Sequence, residues 1–167
     1  MKLNGLDYSD SSINFSVKHL FSSFHGNFSE FDLKIDGDTD NLTDLKANLT
    51  VDISTINTHI QLLNKHLMEK EEFFNVKKYP KATFISTKIE DKGDNKLVVL
   101  GNLTIKDITK EITIDVDYVN KNNLFVINFH THINREIFHL RSTSILDRTG
   151  ILISNRVNIE GSFKFSA

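Results

Sequence analysis

The chain of 167 residues has no cysteine, so neither a disulfide framework nor thiol catalysis is open to it. It has no tryptophan and a single proline, Pro80, and it shows no glycine-rich phosphate loop, nucleophile elbow or His-Glu-x-x-His. Charge of one sign is also missing. A formal net charge of −2 gives no basic face, which argues against nucleic acid as a partner. The first dozen residues lack the apolar run of a signal peptide, and no stretch is long enough to span a membrane. The expectation is a protein that does not cross a membrane and stays in the cytoplasm, where it is made. A trimmed export signal would place it in the periplasm instead.

What the chain does have is phenylalanine: thirteen, against three tyrosines. These rings bring bulk without a polar handle and need a dry place to sit. With 39% hydrophobic and 25% charged residues, a globular chain with one sizeable core is expected, as a single domain over 1–167.

Alternation at period two dominates. Ile13, Phe15 and Val17 share one face, with His19 on the same side of that register. Phe24 and Phe28 fall on even positions but Phe31, Leu33 and Ile35 on odd ones, predicting a bend near Ser29 and Glu30 that Gly26 would ease. Ala47, Leu49, Val51 and Ile53 alternate cleanly. Phe84 and Ile85 point opposite ways and leave the face of their strand open. Leu97, Val99, Leu103 and Ile105 flank Gly101, which marks a bend or a close approach. Ile112, Ile114, Val116 and Tyr118 follow, then Phe125, Ile127, Phe129, Thr131 and Ile133, and finally Val157, Ile159, Gly161, Phe163 and Phe165.

One stretch breaks this rhythm. About residues 58–75 read as a short helical excursion, opened by a Thr58/Gln61 capping box and carrying an Ile60, Leu63, Leu67 stripe. Phe73 and Phe74 anchor its end, and Tyr79-Pro80 returns the chain to strand. About eight amphipathic strands and one helix predict an all-β fold, a single extended antiparallel β-barrel capped by that helix.

Candidate chemistry is sparse. Asp36-Gly-Asp-Thr-Asp40 opens like a calcium loop, but Asn41 stands where the loop glycine belongs and Ala47 where the bidentate glutamate belongs. His130 and His132 sit at i and i+2 with no third ligand in view, so they read as surface residues, and no metal or other cofactor is predicted. The predicted interior lining is Phe15, Val17, Phe24, Phe28, Leu49, Val51, Leu63, Leu67, Phe74, Phe84, Leu103, Ile114, Phe129 and Phe163. Each methylene of a long chain entering such a lining gains about 0.8 kcal/mol. The pattern suits equally well an apolar tunnel and a barrel filled by its own rings.

The chain resembles the YceI-like family, the polyisoprenoid-binding, lipocalin-like barrels. The matching stretches are Ile13–Leu20 with Gly26-Asn-Phe28, Thr50–Thr58, His66-Leu67 with Phe73-Phe74, Tyr79–Thr87, Gly101–Ile105 with Thr109-Lys110, and Ile133-Asn-Arg135 with Phe138. The resemblance implies an elongated apolar tunnel, a long-chain isoprenoid or similar amphiphile inside it, and a homodimer. It also implies Arg-Asp where this chain has Leu63-Asn64, glycine where it has Asp107, and Asp-Phe-Gly where it runs Glu136-Ile-Phe-His139.

The expected function is a non-enzymatic carrier of a lipid ligand, with His19 and Arg135 as head-group candidates. An enzyme using His19 or the His130/His132 pair on a small apolar substrate is the alternative from another class. A ligand-free structural or interaction barrel is the third.

Overall fold

Ten strands, one α-helix and three short 3-10 turns make up the regular structure of the residues described by the computed structural model, 1–141 and 153–166. The strands are β1 (Ser12–His19), β2 (Ser23–Phe28), β3 (Phe31–Asp36), β4 (Lys46–Asp52), β5 (Ile56–Asn57), β6 (Lys81–Gly93), β7 (Lys96–Ile105), β8 (Ile108–Lys121), β9 (Leu124–Asn134) and β10 (Ile153–Ser166), with helix α1 (Gln61–Glu69) between β5 and β6. All ten lie in one antiparallel sheet ordered β3-β4-β6-β7-β8-β9-β10-β1-β2-β5.

The sheet curls into a half-barrel and does not close by strand pairing. Its two ends are joined instead by the chain itself. β2 runs through Ser29 and Glu30 into β3, at opposite ends of the strand order. The Asp52 N–H donates to the Glu30 carbonyl at 2.9 Å, and the Glu30 N–H donates to Thr55 Oγ1 at 3.2 Å. The change of register at Ser29 and Glu30 is therefore a passage from one sheet edge to the other, sharper than a bend. That passage and the two-residue β5 raise the strand count above the expected eight.

Bulges settle the other ambiguous registers. The pairing of β6 with β7 shifts between Ser86 and Lys88, so even positions (Ala82, Phe84) face inward before it and Ile89 faces inward after it. Ile85 is left 52% exposed on the outer face. In β1 the pairing with β10 shifts between Val17 and His19, which ends the inward run at Val17.

Glycines admit the aromatic rings. A Cβ on Gly26 would lie 2.3 Å from the Phe15 ring, one on Gly101 2.4 Å from the Phe84 ring, and one on Gly161 2.8 Å from the Phe129 ring. Two of these, Phe15/Gly26 and Phe129/Gly161, are direct cross-strand pairs. Each phenylalanine lies flat over a neighbouring backbone, and the sheet curves around it.

The helix is shorter than the 58–75 excursion, because His59 adopts a left-handed φ of 64° and starts the helix late. The Thr58/Gln61 capping box does not form. Asn64 reaches back instead: Thr58 Oγ1 and the Thr58 N–H both donate to Asn64 Oδ1, at 2.6 and 2.8 Å. Ile60 is no part of the docked stripe either, being 49% exposed at the helix N-cap. After α1, turns carry the chain through Phe73 and Phe74, whose N–H groups bond back to the Lys70 and Leu67 carbonyls.

Candidate functional site

Two packed clusters and a cavity share the interior. One cluster gathers Leu45, Phe84, Ile89, Leu97, Val99 and Val116, and the other includes Phe31, Leu33, Phe125, Phe163 and Phe165. Alongside them, under α1, lies a cavity of about 240 Å³. Its sheet walls come from β1, β2, β4 and β6 to β10, and its cap from Leu63, Leu67, Phe73 and Phe74. Every lining side chain is apolar except Thr58, Thr131 and Arg135. Such a space has too few polar partners to hold ordered water and suits a hydrocarbon guest.

Thirteen of the fourteen residues expected in the lining border this cavity: Phe15, Val17, Phe24, Phe28, Leu49, Val51, Leu63, Leu67, Phe74, Phe84, Leu103, Ile114 and Phe129. Phe163 does not. It faces inward but packs in the core behind the lining, stacked on Phe129 at 5.1 Å between ring centroids and edge-on to Phe31 at 5.7 Å. Strand alternation gives the face of a residue and not its depth. The same limit hid Ile53 and Ile56, which line the cavity from the turn after β4 and from the two-residue β5. Phe73 joins the wall beside Phe74.

The two head-group candidates differ. His19 is absent from the lining, because the bulge after Val17 carries it to the side, where its ring lies 4.5 Å from Phe24. Arg135 does border the cavity and is only 5% exposed. Its guanidinium already has structural work. Nε donates to the Ser154 carbonyl at 2.9 Å, Nη1 to the Leu140 carbonyl at 2.9 Å, and Nη2 to the Ile153 carbonyl at 3.1 Å. It ties the end of β9 to the start of β10, and among the described residues it is the one charged group that lines the apolar space.

The other polar candidates lie elsewhere. His130 and His132 are exposed on the outer face of β9, with His130 Nε2 3.5 Å from Asp115. Among the described residues no group of three or more metal-ligating side chains is gathered. In the Asp36–Asp44 loop, Asp38 and Asp40 both pair with the Met1 amino group, Asp40 at 3.5 Å.

The cap is fastened at its far side by Lys106, in the β7–β8 turn. Its Nζ donates to the Glu71 carbonyl at 2.7 Å and to the His139 carbonyl at 3.2 Å, and burial pushes its pKa below the usual lysine value. Asp107 and His139, which stand where the resemblance implies glycine, both have left-handed backbone, with φ of 61° and 55°. Of the other departures, Leu63 lines the cavity and Asn64 makes the Thr58 bonds.

A family model described as the YceI-like domain matches residues 5–165. The chain belongs to the YceI-like family. A UPF0312 protein of Staphylococcus epidermidis is 35% identical to it over 170 residues, covering 96% of this chain and 95% of that one. Among solved structures, Burkholderia cenocepacia BcnA superposes with a TM-score of 0.88 at 23% identity, over 95% of this chain and 98% of that one. A polyisoprenoid-binding domain from Saccharophagus degradans, implicated in plant cell wall breakdown, superposes with a TM-score of 0.72 at 16% identity, over 98% and 97%. At those identities both structures speak for the YceI-like fold alone. Membership of the family supports a binding role over a catalytic one.

Proposed function

We propose that this YceI-like chain binds a long-chain isoprenoid or similar amphiphile in the cavity under α1 and carries it, without chemistry of its own. The observation that carries this reading is the lining, in which Phe15, Phe28, Leu103 and Phe129 are typical and only Thr58, Thr131 and Arg135 are polar. Binding of a polyisoprenoid by the Saccharophagus domain of the same fold points the same way. Magnitudes favour long chains. About ten methylenes gain roughly 8 kcal/mol gross, which association costs of about 4–15 kcal/mol largely offset. A ligand that binds tightly therefore brings more carbons than that. Arg135 lies where the polar end of such a ligand meets the protein.

The enzyme reading needs its histidines to converge in the cavity, and His19, His130 and His132 do not come together there. Titration with the apolar dye N-phenyl-1-naphthylamine tests the binding reading. Ile114→Trp, which fills the cavity from β8, is expected to weaken dye binding about tenfold or more while the fold is kept. Equal dye affinity in the folded variant would show that this space is not the binding site.

A further inference from the structure

The end of the cavity covered by α1 also presents apolar side chains to water. Beyond Val17 and Phe24, the last lining positions of β1 and β2, the hairpin turns through Leu20 and Phe21, which are 59% and 89% exposed. On α1, next to the lining residue Leu63, Leu62 is 64% exposed, and Ile60 at the N-cap is 49% exposed. β5 pairs antiparallel with β2 at Phe28 and Asn27, so the chain leaves Asn57 towards the hairpin end of β2, and Val17, Phe24, Leu63 and Leu67 line the same cavity, which sets the two groups at one rim. Single exposed apolar residues are ordinary, but a group of them bordering an apolar cavity marks an interaction surface.

Acidic residues are absent from the setting of these side chains until Glu69, at the end of α1. Residues 16–27 and 53–68 contain no aspartate or glutamate, in a chain that has 22 acidic residues. They contain Lys18 and Lys65, both exposed, and four of the seven histidines: His19, His25, His59 and His66. Lysine and histidine both join an apolar body to a polar tip, which suits the boundary between water and lipid head groups. A two-fold pairing of this rim with a second copy would set Lys18 and Lys65 against themselves, and like charges face to face oppose association. An anionic surface meets no such opposition.

We propose that this rim docks on an anionic lipid bilayer, with Leu20, Phe21 and Leu62 entering the head-group boundary and Lys18 and Lys65 meeting lipid phosphates. Docking this way round sets the helix-capped end of the cavity against the membrane, so that an apolar chain passes between the two without crossing water. The passage rests on the lipid-binding function proposed above; the docking does not.

Vesicle flotation tests the docking. Vesicles of phosphatidylcholine mixed with phosphatidylglycerol are expected to bind the protein, and high salt to weaken that binding. Phe21→Ser with Leu62→Ser is expected to weaken it about tenfold or more, because most of the inserted apolar area is lost. Lys18→Gln with Lys65→Gln is expected to cut the preference over pure phosphatidylcholine about tenfold. Failure of the wild type to float with anionic vesicles overturns the proposal, as does unchanged flotation of the Phe21→Ser/Leu62→Ser variant. Sedimentation that shows a wild-type dimer dissolved by the same variant overturns it too, by giving the rim to a second copy. Uptake of N-phenyl-1-naphthylamine reports separately on the cavity: its loss with flotation intact counts against the lipid-binding function and leaves the docking standing.

Discussion

At the scale of single residues, the fold depends on a few close approaches and caps. Gly161 is the tightest. A Cβ there would lie 2.1 Å from the Ser12 carbonyl oxygen as well as against the Phe129 ring, and a backbone atom cannot step aside cheaply. Gly161→Ala is expected to cost roughly 1–3 kcal/mol in urea unfolding, and a cost near zero would contradict the packing described. His139 offers the opposite case. Its φ of 55° is one that side chains with a Cβ adopt at a cost, so His139→Gly is expected to stabilise the protein by about 0.5–1 kcal/mol. A lower melting temperature in that variant would refute this account.

Asp52 gives a pH test. It accepts from the Ser54 hydroxyl at 2.7 Å and the Ser54 N–H at 3.1 Å and pairs with Lys81 at 3.3 Å. The Ser54 hydroxyl foremost, then Lys81, holds its carboxyl below the usual 3.8. A depressed folded-state value adds stability above the unfolded value and loses it as the pH falls through the folded one. Asp52→Asn is therefore expected to destabilise the protein at neutral pH, with the gap to wild type closing below pH 3.8. Parallel pH–stability curves for the two proteins would disprove this.

At the scale of elements, alternation in the sequence already shows which side chains face inward in β1, β2, β4, β7, β8 and β9. What it does not show is how bulges redirect a strand. His19 shares the odd register of Phe15 and Val17 and still leaves the cavity, because one irregularity after Val17 intervenes. Phe84 and Ile85 look equivalent until the shift after Ser86 separates them. Depth is equally hidden, which is why Phe163 packs in the core and does not reach the cavity. The helix was legible as a helix, but its cap was not: a side chain reaching back from Asn64 to Thr58 has no signature as regular as a capping box. The cap is fastened in part by Lys106. Lys106→Met removes the two bonds from Nζ to Glu71 and His139 while keeping most of the apolar stem. Faster amide exchange through α1 and the 71–74 turn is expected, with faster release of bound dye, while β7 and β8 keep their protection. Unchanged exchange in α1 would show that Lys106 does not fasten the cap.

At the scale of the whole molecule, a ten-stranded sheet curled around a phenylalanine-rich interior has two outcomes open to it, a solid core or a lined space. Both occur here. Rings such as Phe125, Phe138 and Phe165 are 1–2% exposed and pack the structure, while Phe15, Phe24, Phe28 and Phe129 border the space under α1. That division was beyond the sequence, since both sets alternate alike. A ligand-free barrel would be filled throughout, and the space under α1 supports the proposed lipid-binding function instead. The most direct test is mass spectrometry of an organic-solvent extract of the purified protein. The lipid-binding account predicts a co-purified lipid with a long isoprenyl or alkyl chain, in an amount comparable to the protein. A protein that yields no lipid, and that takes up none when offered, would contradict it.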